Sequence, residues 1–282
     1  MDPTLRPYRS LLYIPGSKER ALDKARSLPV DAILFDLEDA VMPDAKHDAR
    51  RTLCAALEQG GYGARARIVR INGLDTGWGA DDVAALRDAD IDALLLPKVA
   101  TVADIDRLAA LCDCPIWTMM ETPLSIFNAQ QIAAHPRVQG LVAGTNDLAK
   151  ELGSRDRPDR LPLQMALQTM LLAARAHGVI AADGVYNQFT DAAGLEAECA
   201  QGRDLGFDGK TLIHPAQIEI ANRVFAPSEA EISLARRQIA AFDEVLARRQ
   251  GVAVVDGKIV ENLHVETAKK TLARAEAIAP PG

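Results

Sequence analysis

The sequence predicts an α/β fold, a (β/α)8 barrel of the TIM type with a C-terminal helix-and-hairpin extension, on three observations. Eight short apolar runs recur along the chain. Helical periodicity fills the segments between them. The chain has 282 residues and 48 % hydrophobic content, enough for such a barrel, which commonly takes about 250 residues. The runs are LLYIP (11–15), AILFDLED (32–39), ARIVRIN (66–72), ALLLPKV (93–99), PIWTMMET (115–122), VQGLVAGTND (138–147), VIAADGVY (179–186) and KTLIHP (210–215). Most are near-continuous rather than alternating, as expected of parallel strands covered on both faces. Between them, stretches such as SKERALDKARSL and DDVAALRDA place apolar residues three and four apart, with Ser17 and Asp81 as candidate caps. A doubly wound open sheet is the alternative, but it usually has fewer strands and a glycine-rich phosphate turn, and no G-x-G-x-x-G occurs here.

The chain runs on for about 65 residues after the eighth strand, too many for one closing helix at roughly 1.5 Å rise per residue. SEAEISLARRQIAAFDEVLARRQG reads as a long amphipathic helix, VAVVDGKIV as a hairpin turning at Asp256-Gly257, and HVETAKKTLARAEAI as a final helix. The expected division is a catalytic barrel over 1–225 and a lid extension over 226–282.

A formal charge of -7 argues against a nucleic-acid or anionic-membrane surface. The N-terminus lacks the basic and apolar regions of a signal peptide, and no run approaches 18 apolar residues. The four cysteines, Cys54, Cys112, Cys114 and Cys199, form no framework and read as reduced thiols of a cytoplasmic protein.

In a barrel, function gathers at the C-terminal ends of the strands. Those ends carry Asp36, Glu38 and Asp39, then Arg70 and Asn72, Lys98, Glu121, Asp147, Asp183 and His214. Asp147 alone would read as a helix cap, and His214 before Pro215 as structural. Glu121 has no capping role, and an arginine inside an apolar run, as Arg70 is, needs a partner. Carboxylates on adjacent strands five and six make a plausible Mg²⁺ site, since that ion takes one or two protein carboxylates and keeps several waters. No histidine pair has zinc spacing, and neither G-x-S-x-G nor a Walker A loop is present. Lys18, Arg20 and Lys24, after strand one, form a cationic cluster suited to phosphates.

The motifs RSLLYIPG, FDLEDAV, VRIN, ETP, AGTNDLA, DGVY and GFDGKTLIHPAQI occur in this order, and together they resemble the citrate lyase β-subunit-like family of CoA-ester lyases. That family includes malyl-CoA and citramalyl-CoA lyases and malyl-CoA thioesterases. The resemblance implies a Mg²⁺-dependent homotrimeric barrel that breaks a β-hydroxyacyl-CoA of malyl, citramalyl or citryl type into an acyl-CoA and a 2-oxo acid (glyoxylate, pyruvate or oxaloacetate). By the same resemblance Glu121 and Asp147 hold the metal, and Arg70 stabilises the thioester enolate oxygen. Asp36 and Asp39 orient Arg70 and the metal's waters, and Lys18, Arg20 and Lys24 meet the CoA phosphates. Stand-alone members often carry a lid aspartate that reaches a neighbouring subunit's site. Glu261 stands at that place here, one methylene longer.

The leading expectation is therefore a C–C lyase, with catalytic residues Arg70, Asp36 and Glu261. A (3S)-malyl-CoA thioesterase is its nearest rival. A citrate lyase β subunit acting on a carrier-bound acyl group is a second, and a barrel that only binds is a third.

Overall fold

The computed structural model describes residues 6–278. Eight parallel strands close a barrel in sequence order: β1 (Ser10–Pro15), β2 (Ala32–Asp36), β3 (Ala66–Arg70), β4 (Ala93–Leu96), β5 (Ile116–Met120), β6 (Val138–Ala143), β7 (Ile180–Asp183) and β8 (Gly209–Leu212). β8 returns to pair with β1. β2, β3 and β7 end on Asp36, Arg70 and Asp183 themselves, whereas Lys98, Glu121 and Asp147 lie just beyond the ends of β4, β5 and β6.

Helices follow the strands as the periodicity predicts, but two begin elsewhere. The first covers only Glu19–Ala25, and its cap position is Lys18 rather than Ser17, because the turn leaving β1 runs one residue further, with the Lys18 N–H on Pro15 O. The third covers Gly79–Ala85 and leaves Asp81 inside its first turn, where a carboxylate suits the helix dipole. Thr122 does cap the helix Pro123–Phe127, closing a reciprocal box with Ser125.

Alternate strand residues face opposite ways, so the core has two layers. Leu11, Leu34, Ile68, Leu95, Trp117 and Val142 fill the barrel interior. Leu12, Ile33, Phe35, Val69, Leu94 and Leu141 pack outward into the helix layer. Gly140 is required by this packing: a Cβ there would lie 2.3 Å from the Trp117 ring on the neighbouring strand.

The outward layer also holds a polar knot. Asp183 accepts Arg160 Nη1 on both oxygens at 2.8 and 2.9 Å and lies 3.2 Å from Lys210 Nζ, which also reaches Glu198 at 2.6 Å. Asp183 and Lys210 are both fully buried.

A separate compact unit begins at residue 226. Its helix Glu229–Ala247 starts at a Ser228/Glu231 capping box, and a second helix covers Asn262–Ile278. Between them, β9 (Ala253–Val255) and β10 (Lys258–Val260) pair antiparallel through Asp256 and Gly257, at φ 50° and 75°. Two consecutive left-handed residues are what a tight two-residue hairpin turn requires. Phe242, Ala253, Val260 and Val265 form this unit's own small core.

Burial works against the Asp183 charge, but Lys210 and Arg160 outweigh it and hold the carboxyl below its ordinary range. The stability this confers is complete above the unfolded carboxyl's value and is lost as pH falls through the lower folded one. Asp183→Asn should destabilise the barrel by about 3–5 kcal/mol in urea unfolding, because it strands two buried cations. A change under about 1 kcal/mol would show that the knot is not structural.

Candidate active site

The inward register of the strands builds the site. Following each inward series upward, Leu11 leads to Tyr13, Leu34 to Asp36, Ile68 to Arg70, and Met119 to Glu121. All four upper residues line one cavity of about 380 Å³ at the C-terminal mouth, together with Asp39, Gly144, Asn146 and Asp147. Asp36 and Arg70 are directly paired in the sheet register, so their side chains start side by side.

Arg70 is held on nearly every edge. Asp36 takes it bidentately, Oδ1 from Nε at 2.8 Å and Oδ2 from Nη2 at 2.6 Å. Glu38 lies 3.0 Å and Asp39 3.4 Å from Nη1, and the guanidinium carbon sits 4.9 Å from the centre of the Tyr13 ring. Burial disfavours the charge, but hydrogen bonding to Asp36 and the surrounding negative groups raise the Arg70 pKa well above its ordinary value. Asp36 accepts two further bonds, from the backbone N–H of Glu38 and of Ala40. With four donors on its two oxygens, Asp36 is built to position Arg70.

Across the mouth, Glu121 is buried, and its Oε1 accepts the backbone N–H of Lys98 at 2.6 Å. Lys98 is left-handed at φ 53°, a strained conformation for a non-glycine residue that aims this N–H at the carboxylate. Gly144 makes room: a Cβ there would sit 2.3 Å from Glu121 Cβ and 2.7 Å from Oε2. Asp147 lies in the first turn of the helix Thr145–Leu152, one loop from Glu121. Burial pushes the Glu121 pKa up to about 7, the Lys98 N–H opposes this, and the nearby Glu38 and Asp147 add to it. A carboxylate so disfavoured as an anion, beside a second carboxylate in an open cavity, is a donor set that suits a hard divalent cation. Among the described residues no cluster of three or more His, Cys, Asp or Glu could hold a metal. The fit is therefore to an ion that keeps most of its water.

The remaining strand-end candidates scatter. Asn72 turns away, giving its N–H and Nδ2 to the buried Asp82. Asp183 falls on the outward register of β7 and so belongs to the polar knot rather than to the mouth. His214 is structural as expected, with Nδ1 accepting the Ala216 N–H and its ring stacked on Phe189. Lys18, Arg20 and Lys24 are exposed after β1 and do not line the cavity. Glu261 is exposed on the separate C-terminal unit, its N–H donating to His264 Nδ1. Sequence reasoning missed Tyr13, which looks like one more core aromatic in LLYIP, and Gly144. The signal for both was the period-two register, which a continuous apolar run conceals.

The family model described as HpcH/HpaI aldolase/citrate lyase matches residues 9–215. A (3S)-malyl-CoA thioesterase of Cereibacter sphaeroides is 66 % identical over 274 residues, spanning 97 % of this chain and 96 % of that protein. The citrate lyase subunit beta of Escherichia coli (strain K12) is 34 % identical over 284 residues, spanning 96 % and 94 %. Among solved structures, CitE from Mycobacterium tuberculosis in complex with magnesium, acetoacetate and coenzyme A superimposes with a TM-score of 0.82. It is 29 % identical, and the match spans 96 % of this chain and 99 % of that one.

A proton and a cation compete for Glu121. With burial pushing its carboxyl up to about 7, Mg²⁺ should bind about tenfold more weakly at pH 6 than at pH 8, with proton release at the lower pH. Calorimetric titration at the two values checks this. Equal affinities would mean that Glu121 is not a ligand.

Proposed function

The chain belongs to the HpcH/HpaI aldolase/citrate lyase family, and we propose that it is a magnesium-dependent thioesterase that hydrolyses (3S)-malyl-CoA to malate and coenzyme A. The single observation that carries hydrolysis over C–C cleavage is the 66 % identity to a (3S)-malyl-CoA thioesterase across nearly the whole chain. The sequence motifs alone favour the lyase; the gap between 66 % and the 34 % identity to a citrate lyase β subunit is what supports hydrolysis here.

The cavity supports a thioester substrate on its own terms. No Ser, Cys or His is among its lining residues, and of the two threonines there Thr211 spends its hydroxyl on the Asp183 carbonyl, so the lining shows no Ser–His or Cys–His pair. What it offers is a fixed cation on one side and a carboxylate pair on the other. Magnesium, held by Glu121 and Asp147, would supply Lewis-acid polarisation and an anchor for the malyl carboxylate and hydroxyl oxygens. Arg70 then faces the thioester carbonyl. Water adds to that carbon, negative charge collects on the carbonyl oxygen beside the guanidinium, and the C–S bond breaks. The water oxygen ends in malate's new carboxylate, one water proton on the coenzyme A sulfur and the other in solvent. Asp36, Glu38 and Asp39 keep Arg70 in place while the charge rises and falls, so no reorganisation is needed at that moment. On the family resemblance, Glu261 of the C-terminal unit is the group proposed to complete the site as an acid–base residue.

The same layout suits a second reading favoured by the citrate lyase relatives and by CitE. If the bond between the two central carbons of the malyl group breaks instead, the products are glyoxylate and the enolate of acetyl-CoA, with its charge on the same oxygen. On the family resemblance the assembly is a cytoplasmic homotrimer, with the CoA phosphates meeting Lys18, Arg20 and Lys24.

Incubation with (3S)-malyl-CoA and Mg²⁺, following all four products, tests the proposal. Malate and coenzyme A in equal amounts are expected, and a chelator should abolish both. Glyoxylate with acetyl-CoA would overturn hydrolysis in favour of the lyase, and no product at all would point to a carrier-bound acyl group. Arg70→Lys retains a charge but loses the bidentate fork, so kcat should fall about 10²-fold or more with the fold intact. A kcat within about threefold of wild type would remove Arg70 from the chemistry.

A further inference from the structure

We propose that the Tyr13 hydroxyl is a catalytic group, a second donor beside Arg70 to the thioester carbonyl oxygen. The inference takes its substrate from the thioester reading above and its geometry from the cavity floor.

Tyr13 stands on β1 in the inward register, partly exposed, and lines the cavity with Arg70, Met119 and Glu121. The Arg70 guanidinium lies over its ring at 4.9 Å, so the ring fixes the plane of the cation as Asp36 fixes its edge. The phenol oxygen extends toward β5, where the hydrogen-bond partner it finds among the described residues is Met119 Sδ at 3.5 Å. A thioether sulfur is a weak acceptor, and the hydroxyl of a cavity-lining tyrosine with only such a partner is available to a better one. The nearby carboxylate oxygens of Asp36 are already satisfied by four donors, and Glu121 Oε1 by Lys98. Met119 Sδ is the acceptor the phenol meets among the described residues.

Burial raises the Tyr13 pKa above its ordinary value, with Arg70 opposing the shift, so the group stays protonated. It can donate and cannot serve as a base. An oxygen that gains negative charge beside Arg70 is the acceptor this neutral donor lacks. As water adds to the carbonyl carbon, the C=O π pair moves onto that oxygen and the Tyr13 O–H strengthens its bond to it. When the C–S bond breaks the pair returns, and Tyr13 keeps its proton throughout.

Tyr13→Phe retains the ring under Arg70 and removes only the hydroxyl. The expected result is a loss of about 10²-fold in kcat, with KM and Mg²⁺ affinity within about threefold and the thermal midpoint unchanged. A kcat within about threefold of wild type overturns the proposal. A second readout needs no turnover: the infrared carbonyl band of bound acetyl-CoA carrying ¹³C at C1. It should lie lower on the wild-type protein than on Tyr13→Phe, because one hydrogen bond is lost, and an unmoved band also overturns the proposal. If the wild type releases neither malate nor glyoxylate from malyl-CoA, the thioesterase reading falls while the band still decides the role of Tyr13.

Discussion

The barrel mouth depends on one buried ion pair, Arg70 with Asp36. Asp36 is 1 % exposed and Arg70 8 %, so neither charge has enough water to survive alone: removing Arg70 would strand Asp36, and removing Asp36 would leave Arg70 with only Glu38 and Asp39 on one nitrogen. The pair is more than a local contact. The same Asp36 oxygens that grip the guanidinium accept the N–H groups of Glu38 and Ala40, and so shape the turn that carries Glu38 and Asp39 back toward Arg70. From the far side, Lys46 Nζ binds the carbonyl oxygens of Leu37 and Glu38 at 2.9 and 2.6 Å. Orientation of the cation and folding of the loop are one event.

Charge at the mouth is unbalanced. Asp36, Glu38, Asp39, Glu121 and Asp147 outnumber Arg70, Lys98 and Lys46 around them, and Glu121, already disfavoured as an anion by burial, is pushed further by Glu38 and Asp147. A divalent ion beside Glu121 and Asp147 would relieve that excess where it is greatest. Lewis-acid chemistry there and anion stabilisation at Arg70 would be two responses to one arrangement. Neither needs a covalent intermediate, which accords with a cavity without a serine, cysteine or histidine.

The barrel was legible because eight apolar runs separated by helical segments admit few other folds. Arg70, Glu121 and Asp147 were legible because charged residues ending apolar runs require partners or ligands. The side on which each residue lands was not. A strand buried on both faces shows no alternation, so VIAADGVY gives no hint that Asp183 points outward into the helix layer while Ala182 points inward. The left-handed turn at Lys98, which aims a backbone N–H at Glu121, carries no residue-type signal either, since lysine is not a residue expected there. Gly144 and Gly140 looked alike as small residues in one run. Only the structure shows one making room for Glu121 and the other for Trp117.

The central claim is that Glu121 and Asp147 hold a cation across the cavity from an Arg70 fixed by Asp36. The most direct test is a crystal soaked with Mn²⁺ in place of Mg²⁺ and phased on the anomalous signal of the metal. The account predicts one strong peak coordinated by both carboxylates, with Arg70 still bidentate on Asp36. A peak ligated by other residues, or an Arg70 that leaves Asp36 to meet the metal's carboxylates, would contradict it.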